Sequence, residues 1–368
     1  MKKTWNRISL MLLLVVCFTF ALAGCGGGGD KKAEAPKDAG KKAEAQVLNI
    51  YSWADYFDPQ VLAEFEKANN CRINYDVYSN NEELLAKMQA GGAQFDIIQP
   101  SDYMVTTMIQ LNMLEKLDRS KLPNIEGLID SLKHPDYDPK QEYAIPYVWG
   151  ITGIAYNKKY VKDPITSWAD LWKPEYKGHV ILLNDNREVF SLALKKMGKS
   201  NNSTDPKEVE AAFNELKKLN TNVLAYDGEN IKQKMIAEEA WIAQMWSSDA
   251  SFCNFENPNI QFCVPKEGTS IWADNMAIPK GAKNKELAMK FLNYIYDPQV
   301  SAQNFNYMRV PSPNAKAIPL QKKEVVESPI LKAVNSQAGK GEWIQDIGNA
   351  ITMYDKYWTE LKTGSYRR

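Results

Sequence analysis

From Val47 onward, short apolar runs alternate with segments whose apolar residues recur at helical spacing. Val47, Leu48, Ile50 and Tyr51 predict a strand. Asp58 as N-cap and Pro59 in the first helical position open a helix over 59–69, with Val61, Leu62, Phe65 and Ala68 along it. A strand over 72–78 places Ile73, Tyr75 and Val77 on one face, and a helix over 81–90 follows. The run 95–99, held between glycines and Pro100, predicts a buried strand, and Met104–Leu111 a helix. This βαβα order implies a largely parallel sheet with crossover helices.

The run 143–156 (YAIPYVWGITGIAY) reads as a strand interrupted by Pro146 and Gly150, and as the first crossing into a second lobe. Beyond it the pattern predicts a short helix from Ser167, a strand over 180–183 and a helix over 186–197 opened by Asp185. It continues with a helix over 205–219, a strand over 223–226, a helix over 230–238 and a buried strand over 241–246. Strands over 260–264 and 271–278 follow, the second returning the chain to the first lobe. In the helix over 284–296, Leu287, Ala288, Phe291, Leu292 and Ile295 share one side. A rigid turn at 310–314 and a closing helix or helix pair within 343–362 complete the pattern, which has no internal repeat.

The first 46 residues do not fit this alternation. Lys2, Lys3 and Arg7 precede an apolar stretch from Ile8 to Phe20, too short for a comfortable span of a bilayer. Leu22-Ala23-Gly24-Cys25 then resembles the lipobox of bacterial lipoproteins. Residues 1–24 are therefore expected to be a lipoprotein signal peptide, with Cys25 lipidated; a plain secretory signal is the alternative. Either reading places the mature chain outside the cytoplasm. Residues 25–46, rich in Gly, Ala and Lys, are expected to be a flexible tether.

Of 368 residues, 45 are Lys or Arg and 45 Asp or Glu, a balance that gives no electrostatic case for nucleic acid. Cys71, Cys253 and Cys263 remain after processing, and Cys253 and Cys263 are near enough in sequence to pair or to stay as buried thiols. His134 and His179 have no ligand spacing and read as surface residues, so no metal is expected. The chain carries no nucleophile elbow, dinucleotide fingerprint or phosphate loop, so it is not expected to be an enzyme.

Candidate chemistry gathers where predicted strands end. Trp53, Asp55 and Tyr56 lie in the first strand–helix loop; Ser101 and Tyr103 follow the strand at 95–99. Ser101 is equally suited to capping a helix. Asp185 and Glu188 have the i, i+3 spacing of a capping box, yet also stand at a strand's carboxyl end. Trp246 ends an apolar run, and Trp272 and Asp274 share one strand face. A buried Asp274 needs a partner, for which Lys280 or Arg309 is a candidate. Acids repeatedly set beside aromatics suit an organic dication: a carboxylate for each ammonium, a ring wall for the methylenes.

The runs YSWADYF, QPSDYMV, IPYVWGITGIAYN, TSWADLWKPEYKG, the segment from Asp185 to Phe190 and IWADNMAIP follow one another in order across nearly the whole mature chain. In them the chain resembles the bacterial extracytoplasmic spermidine/putrescine-binding proteins, the substrate-binding subunits of polyamine ABC transporters. The resemblance implies an α/β, two-lobed periplasmic-binding-protein fold (type II), each lobe a mostly parallel sheet flanked by helices. The expected lobes are 47–147 plus 273–313, and 148–272 plus 314–368. It implies capture of spermidine or putrescine between the lobes and delivery to an ABC permease, without cofactor, by a lipid-anchored monomer. Another small ligand on the same fold (a sugar or an iron complex), or a sensor role, is the alternative.

Ligand contacts implied by the resemblance are Trp53, Tyr56, Ser101, Tyr103, Asp185, Glu188, Trp246, Trp272 and Asp274, with Asp274 the main partner of a buried amine. Ala54 stands where relatives often carry Ser or Thr. Val310 stands where spermidine-binding relatives place Tyr, with Tyr307 a near substitute, and Ile344 where they carry Gln. Both departures fall among contacts that measure ligand length, so the residues leave spermidine and putrescine open.

Overall fold

The computed structural model describes residues 46–91, 94–337 and 341–365. The expected signal peptide, Cys25 and all but the last residue of the expected tether lie outside them. Among the described residues no helix is long and apolar enough to cross a membrane.

The chain opens with β1 (Gln46–Ser52), α1 (Pro59–Asn69), β2 (Cys71–Val77), α2 (Asn81–Gln89), β3 (Ile97–Ile98) and α3 (Asp102–Gln110). Asp58 caps α1 by accepting from the Gln60 N–H, and Pro59 occupies its first turn, as the sequence requires. After three 3-10 turns comes β4 (Ala144–Asn157), the longest strand. There follow β5 (Val180–Leu182), α4 (Asn186–Lys196), α5 (Pro206–Leu219), β6 (Val223–Tyr226), α6 (Ile231–Ile236), β7 (Ile242–Trp246), α7 (Ser247–Glu256) and β8 (Ile260–Cys263). The last third comprises β9 (Ser270–Ala277), α8 (Lys285–Ile295), α9 (Pro298–Met308), α10 (Lys323–Val326), α11 (Pro329–Gln337), β10 (Glu342–Trp343) and α12 (Ile351–Thr363).

The strands join in the order β2-β1-β3-β9-β4-β7-β5-β6, with β10 on β9 and β8 on β4. Each flank repeats one plan: three parallel strands, β2-β1-β3 or β6-β5-β7, meet an antiparallel crossing strand, β9 or β4. The first part of β4, Ala144–Ile151, pairs with β9, and its second part with β7 and β8. A register shift between Pro146 and Val148 bends β4 within the β9 pairing. The carboxyl ends of both parallel sets open toward one slot, as crossover topology dictates.

Alternating strand residues fill separate cores on opposite faces of the sheet. On the first flank Leu48, Ile50 and Ile97 face α1 and α8, while Tyr51 and Ile98 face α3. On the second, Val180, Leu182 and Ile242 pack under α4, α5 and α12, while Ile181, Ala243 and Met245 pack under α7 and α11. Those two faces explain why Cys253 and Cys263 are not bridged: Cys253 lies in the α7 core and Cys263 against the α4–α5 core, and both are free thiols, as is Cys71. His179 also departs from expectation. It is half-buried and stacks on Trp241, ring centroids 3.5 Å apart, and Trp241 stacks in turn on Tyr160. His134 is exposed.

Candidate functional site

The loop after β1 turns sharply because Asp55 adopts left-handed backbone, φ 60°. That turn points Trp53 and Tyr56 into the slot. Trp53 is pinned by its indole N–H on the Gln99 carbonyl, 3.1 Å, and its ring lies against Tyr78 and edge-on to Trp246. From the second flank come Asp185 and Glu188, just beyond β5, and Trp246, at the end of β7; Trp272 and Asp274 come from the middle of β9. All nine ligand contacts implied by the resemblance line one cavity.

Asp274, 4 % exposed, accepts from the Tyr56 hydroxyl at 2.5 Å and from Ser101 Oγ at 2.6 Å. Neither expected cation reaches it: Lys280 donates to Asn112, and Arg309 faces Glu256 and Glu324. Ser101 occupies the N-cap position of α3 but its hydroxyl caps nothing; it bridges Asp274 and Asn81. Burial pushes the Asp274 carboxyl up to about 7 despite those two hydrogen bonds.

The capping box at α4 is half made. Asp185 accepts from the Glu188 N–H at 3.0 Å, but the Glu188 side chain does not reach back. It accepts instead from Thr152 Oγ1 and Ser270 Oγ, both 2.7 Å, and from Trp246 Nε1 at 3.3 Å. Burial, then the neighbouring Asp185 charge, pushes Glu188 up to about 7. Asp185 is raised by burial as well. Tyr103 donates to Glu82 at 3.0 Å, and the Arg187 guanidinium lies 5.5 Å over its ring. Trp272 keeps its buried Nε1 unpartnered, and its ring lies against Gly150, where an added Cβ would meet Trp272 Cζ2 and Ser247 Oγ at 2.6 Å.

Asp102, which the sequence sets beside Tyr103, also lines the slot, whereas Lys232 and Asp249 were missed by sequence reasoning. Asp102 carries a buried, unpartnered Oδ2. Lys232 and Asp249 form an ion pair at 3.6 Å, and Lys232 also meets Asp55 at 2.7 Å. An acid one helical turn after Trp246 was a readable signal for Asp249, but α7 has no side-chain cap to announce it. Of the two departures that bear on ligand length, Ile344 lines the slot; Val310 lies in a separate cavity with Tyr147 and Pro311.

The arrangement is a deep, aromatic-walled slot holding buried carboxylates whose hydrogen bonds, among the described residues, come from neutral donors at Asp274, Asp185 and Glu188. Such a slot attracts a compact organic polycation.

Known proteins bear on this geometry. A family model described as bacterial extracellular solute-binding protein matches residues 60–333. The spermidine/putrescine-binding periplasmic protein of Escherichia coli K12 is 40% identical over 322 residues, 86% of this chain and 92% of that one. The putrescine-binding periplasmic protein SpuD of Pseudomonas aeruginosa is 31% identical over 88% of this chain and 93% of its own. The solved structure of the spermidine/putrescine ABC transporter substrate-binding protein PotD from Streptococcus pneumoniae superposes with a TM-score of 0.71 at 34% identity, covering 88% of this chain and 100% of that one.

Proposed function

The chain belongs to the bacterial extracellular solute-binding proteins, and we propose that the solute it captures is a linear polyamine, passed on to an ABC permease. One observation carries the reading: Asp274, Asp185 and Glu188 are buried acids hydrogen-bonded by neutral groups, and they share one slot with indole and phenol rings. Each ammonium of a polyamine supplies a missing counter-charge, and its methylenes lie against Trp53, Trp246 and Trp272. The relatives named above for spermidine and putrescine support the same ligand class.

Capture requires the slot to open. The proposed bodies are the expected lobes, 47–147 plus 273–313 and 148–272 plus 314–368, which flex where β4 and β9 cross. Closure then strips water from both amines and acids, so each ion pair strengthens as the lobes meet. Acyl chains on Cys25 would hold the protein at the membrane surface, each buried methylene adding about 0.8 kcal/mol.

A thermal-shift series with putrescine, cadaverine, spermidine and spermine tests the ligand class. A polyamine at a hundredfold excess over its Kd should stabilise the fold by about 2.7 kcal/mol, a rise in Tm of roughly 4 °C. 1,4-Butanediol, of similar length but uncharged, should produce none. Absence of any shift at millimolar polyamine would reject the ligand class.

The Trp272 wall has its own test. Gly150→Ala should drive the ring into the slot, because the new methyl group has no room beside it. Polyamine affinity, followed by calorimetry, is expected to fall about tenfold, the order of a lost ring contact. Unchanged affinity would show that the Trp272 ring is not part of the wall.

A further inference from the structure

We infer that Lys232 is a specificity-determining residue: its ammonium group stands between the slot and a side pocket and turns away a ligand ammonium directed there. The inference rests on the polyamine reading above.

Lys232 sits on the short helix α6 and is 6 % exposed. Its Nζ lies 2.7 Å from Asp55 Oδ2 and 3.6 Å from Asp249 Oδ1. Asp55 comes from the loop after β1, on the opposite flank of the sheet, and lines the side pocket, so the ion pair joins the two flanks beside the slot. Burial alone would favour a neutral amine; the Asp249 and Asp55 charges outweigh it and hold the group protonated.

Lys232 and Asp249 belong to the lining of two cavities at once. One is the slot; the other is a small side pocket. Beyond the dividing wall the side pocket offers Asp55, Phe252 and Tyr307, an acid with aromatics, the same chemistry as the slot. Tyr307, the sequence's candidate substitute at Val310, therefore lies beyond Lys232. Ala54, Tyr56 and Ser248 share the dividing wall with Lys232 and Asp249, and without the lysine two acids would stand there without a counter-ion.

With it, the acids divide unequally. Asp249 and Asp55 already face a resident cation, while the hydrogen bonds to Asp274, Asp185 and Glu188 come from neutral groups, with the Arg187 charge acting on Asp185 from a distance. A diamine pairs with Asp274 and with the Asp185–Glu188 pair; Asp102, with its unpartnered Oδ2, is the further acid of the slot. A third ammonium directed toward Asp249 would meet the like charge of Lys232 across a desolvated wall.

The test is calorimetric titration of the mature protein and its variants with putrescine and spermidine. Wild type should bind putrescine more tightly than spermidine. Lys232→Met, which keeps the stem and removes the charge, should raise the spermidine-to-putrescine affinity ratio about tenfold. Lys232→Arg, which keeps the charge, should leave the ratio near the wild-type value. A wild type that prefers spermidine, or a Lys232→Met ratio within about threefold of wild type, would overturn the inference. Should the methionine variant fail to fold, Lys232→Gln and the wild-type preference decide. Loss of all polyamine binding by wild type would instead reject the polyamine reading itself, so the two failures are told apart.

Discussion

Asp274→Asn is expected to weaken polyamine binding by at least about a hundredfold, roughly 3 kcal/mol. The substitution keeps the size of the side chain and removes only its charge, so the ligand's ammonium loses a counter-ion inside a closed, water-poor slot. Truncating one partner of a buried charged pair costs about 2–5 kcal/mol. The Tyr56 and Ser101 hydroxyls, now aimed at the carboxylate, are left facing an amide. The same change should make the unliganded protein harder to melt at pH 8. There the wild type must hold an ionised carboxylate that burial disfavours, and the amide relieves that cost. Opposite effects on affinity and on stability separate this outcome from simple misfolding. Calorimetry and thermal melting of the same variant read both, and wild-type affinity in a folded Asp274→Asn protein would remove this residue from the site.

Affinity should also climb with pH across neutrality. Burial raises Asp274 from 3.8 and Glu188 from 4.5, each to about 7. The ligand selects both in their charged forms. Each protonated group weakens binding about tenfold between pH 8 and pH 6, so the pair together accounts for about a hundredfold. The ligand's amines stay charged over this window, having basicity like that of lysine. Binding near pH 6.5 should accordingly release protons, seen as a dependence of calorimetric heat on buffer ionisation enthalpy.

Stability without ligand runs the other way. Because the folded-state values lie above the unfolded ones, the folded protein holds more protons between about pH 4 and pH 7. These two groups therefore make the fold less stable as pH rises through that window. A pH-independent Kd would show that the two acids do not pair with the ligand.

Much of this site was legible along the chain because its chemistry sits where periodicity breaks. Trp53, Tyr56, Ser101, Tyr103, Asp185 and Glu188 follow predicted strand ends, and crossover topology brings strand ends together. Trp272 and Asp274 were readable from alternation within one strand. The hydrogen-bond partners were not. That Asp274 would meet Ser101 and Tyr56 rather than Lys280 or Arg309 depends on the antiparallel seating of β9 beside β3, which no local pattern encodes. Lys232 was hidden for a similar reason: on the six-residue α6 it reads as an ordinary surface lysine, and only tertiary packing closes Asp55 and Asp249 over it. α7 and α9 went unannounced as well. The first begins directly from Trp246 without a side-chain cap, and the second follows α8 after a break of two residues that blurs one period into the next.

The crossing strands set an order of events. Trp272 and Asp274 ride on β9, where the two flanks meet, while Asp55 projects from a loop at the end of β1. In a clamshell rotation about that crossing, atoms near the axle scarcely travel, whereas those on the long arm sweep through the greatest arc. On the proposed lobes, an arriving amine should find Asp274 in place before closure, and the Asp55–Lys232 contact should form last. Loosening that contact should shorten residence time while leaving the arrival rate nearly untouched, a split that stopped-flow mixing can resolve.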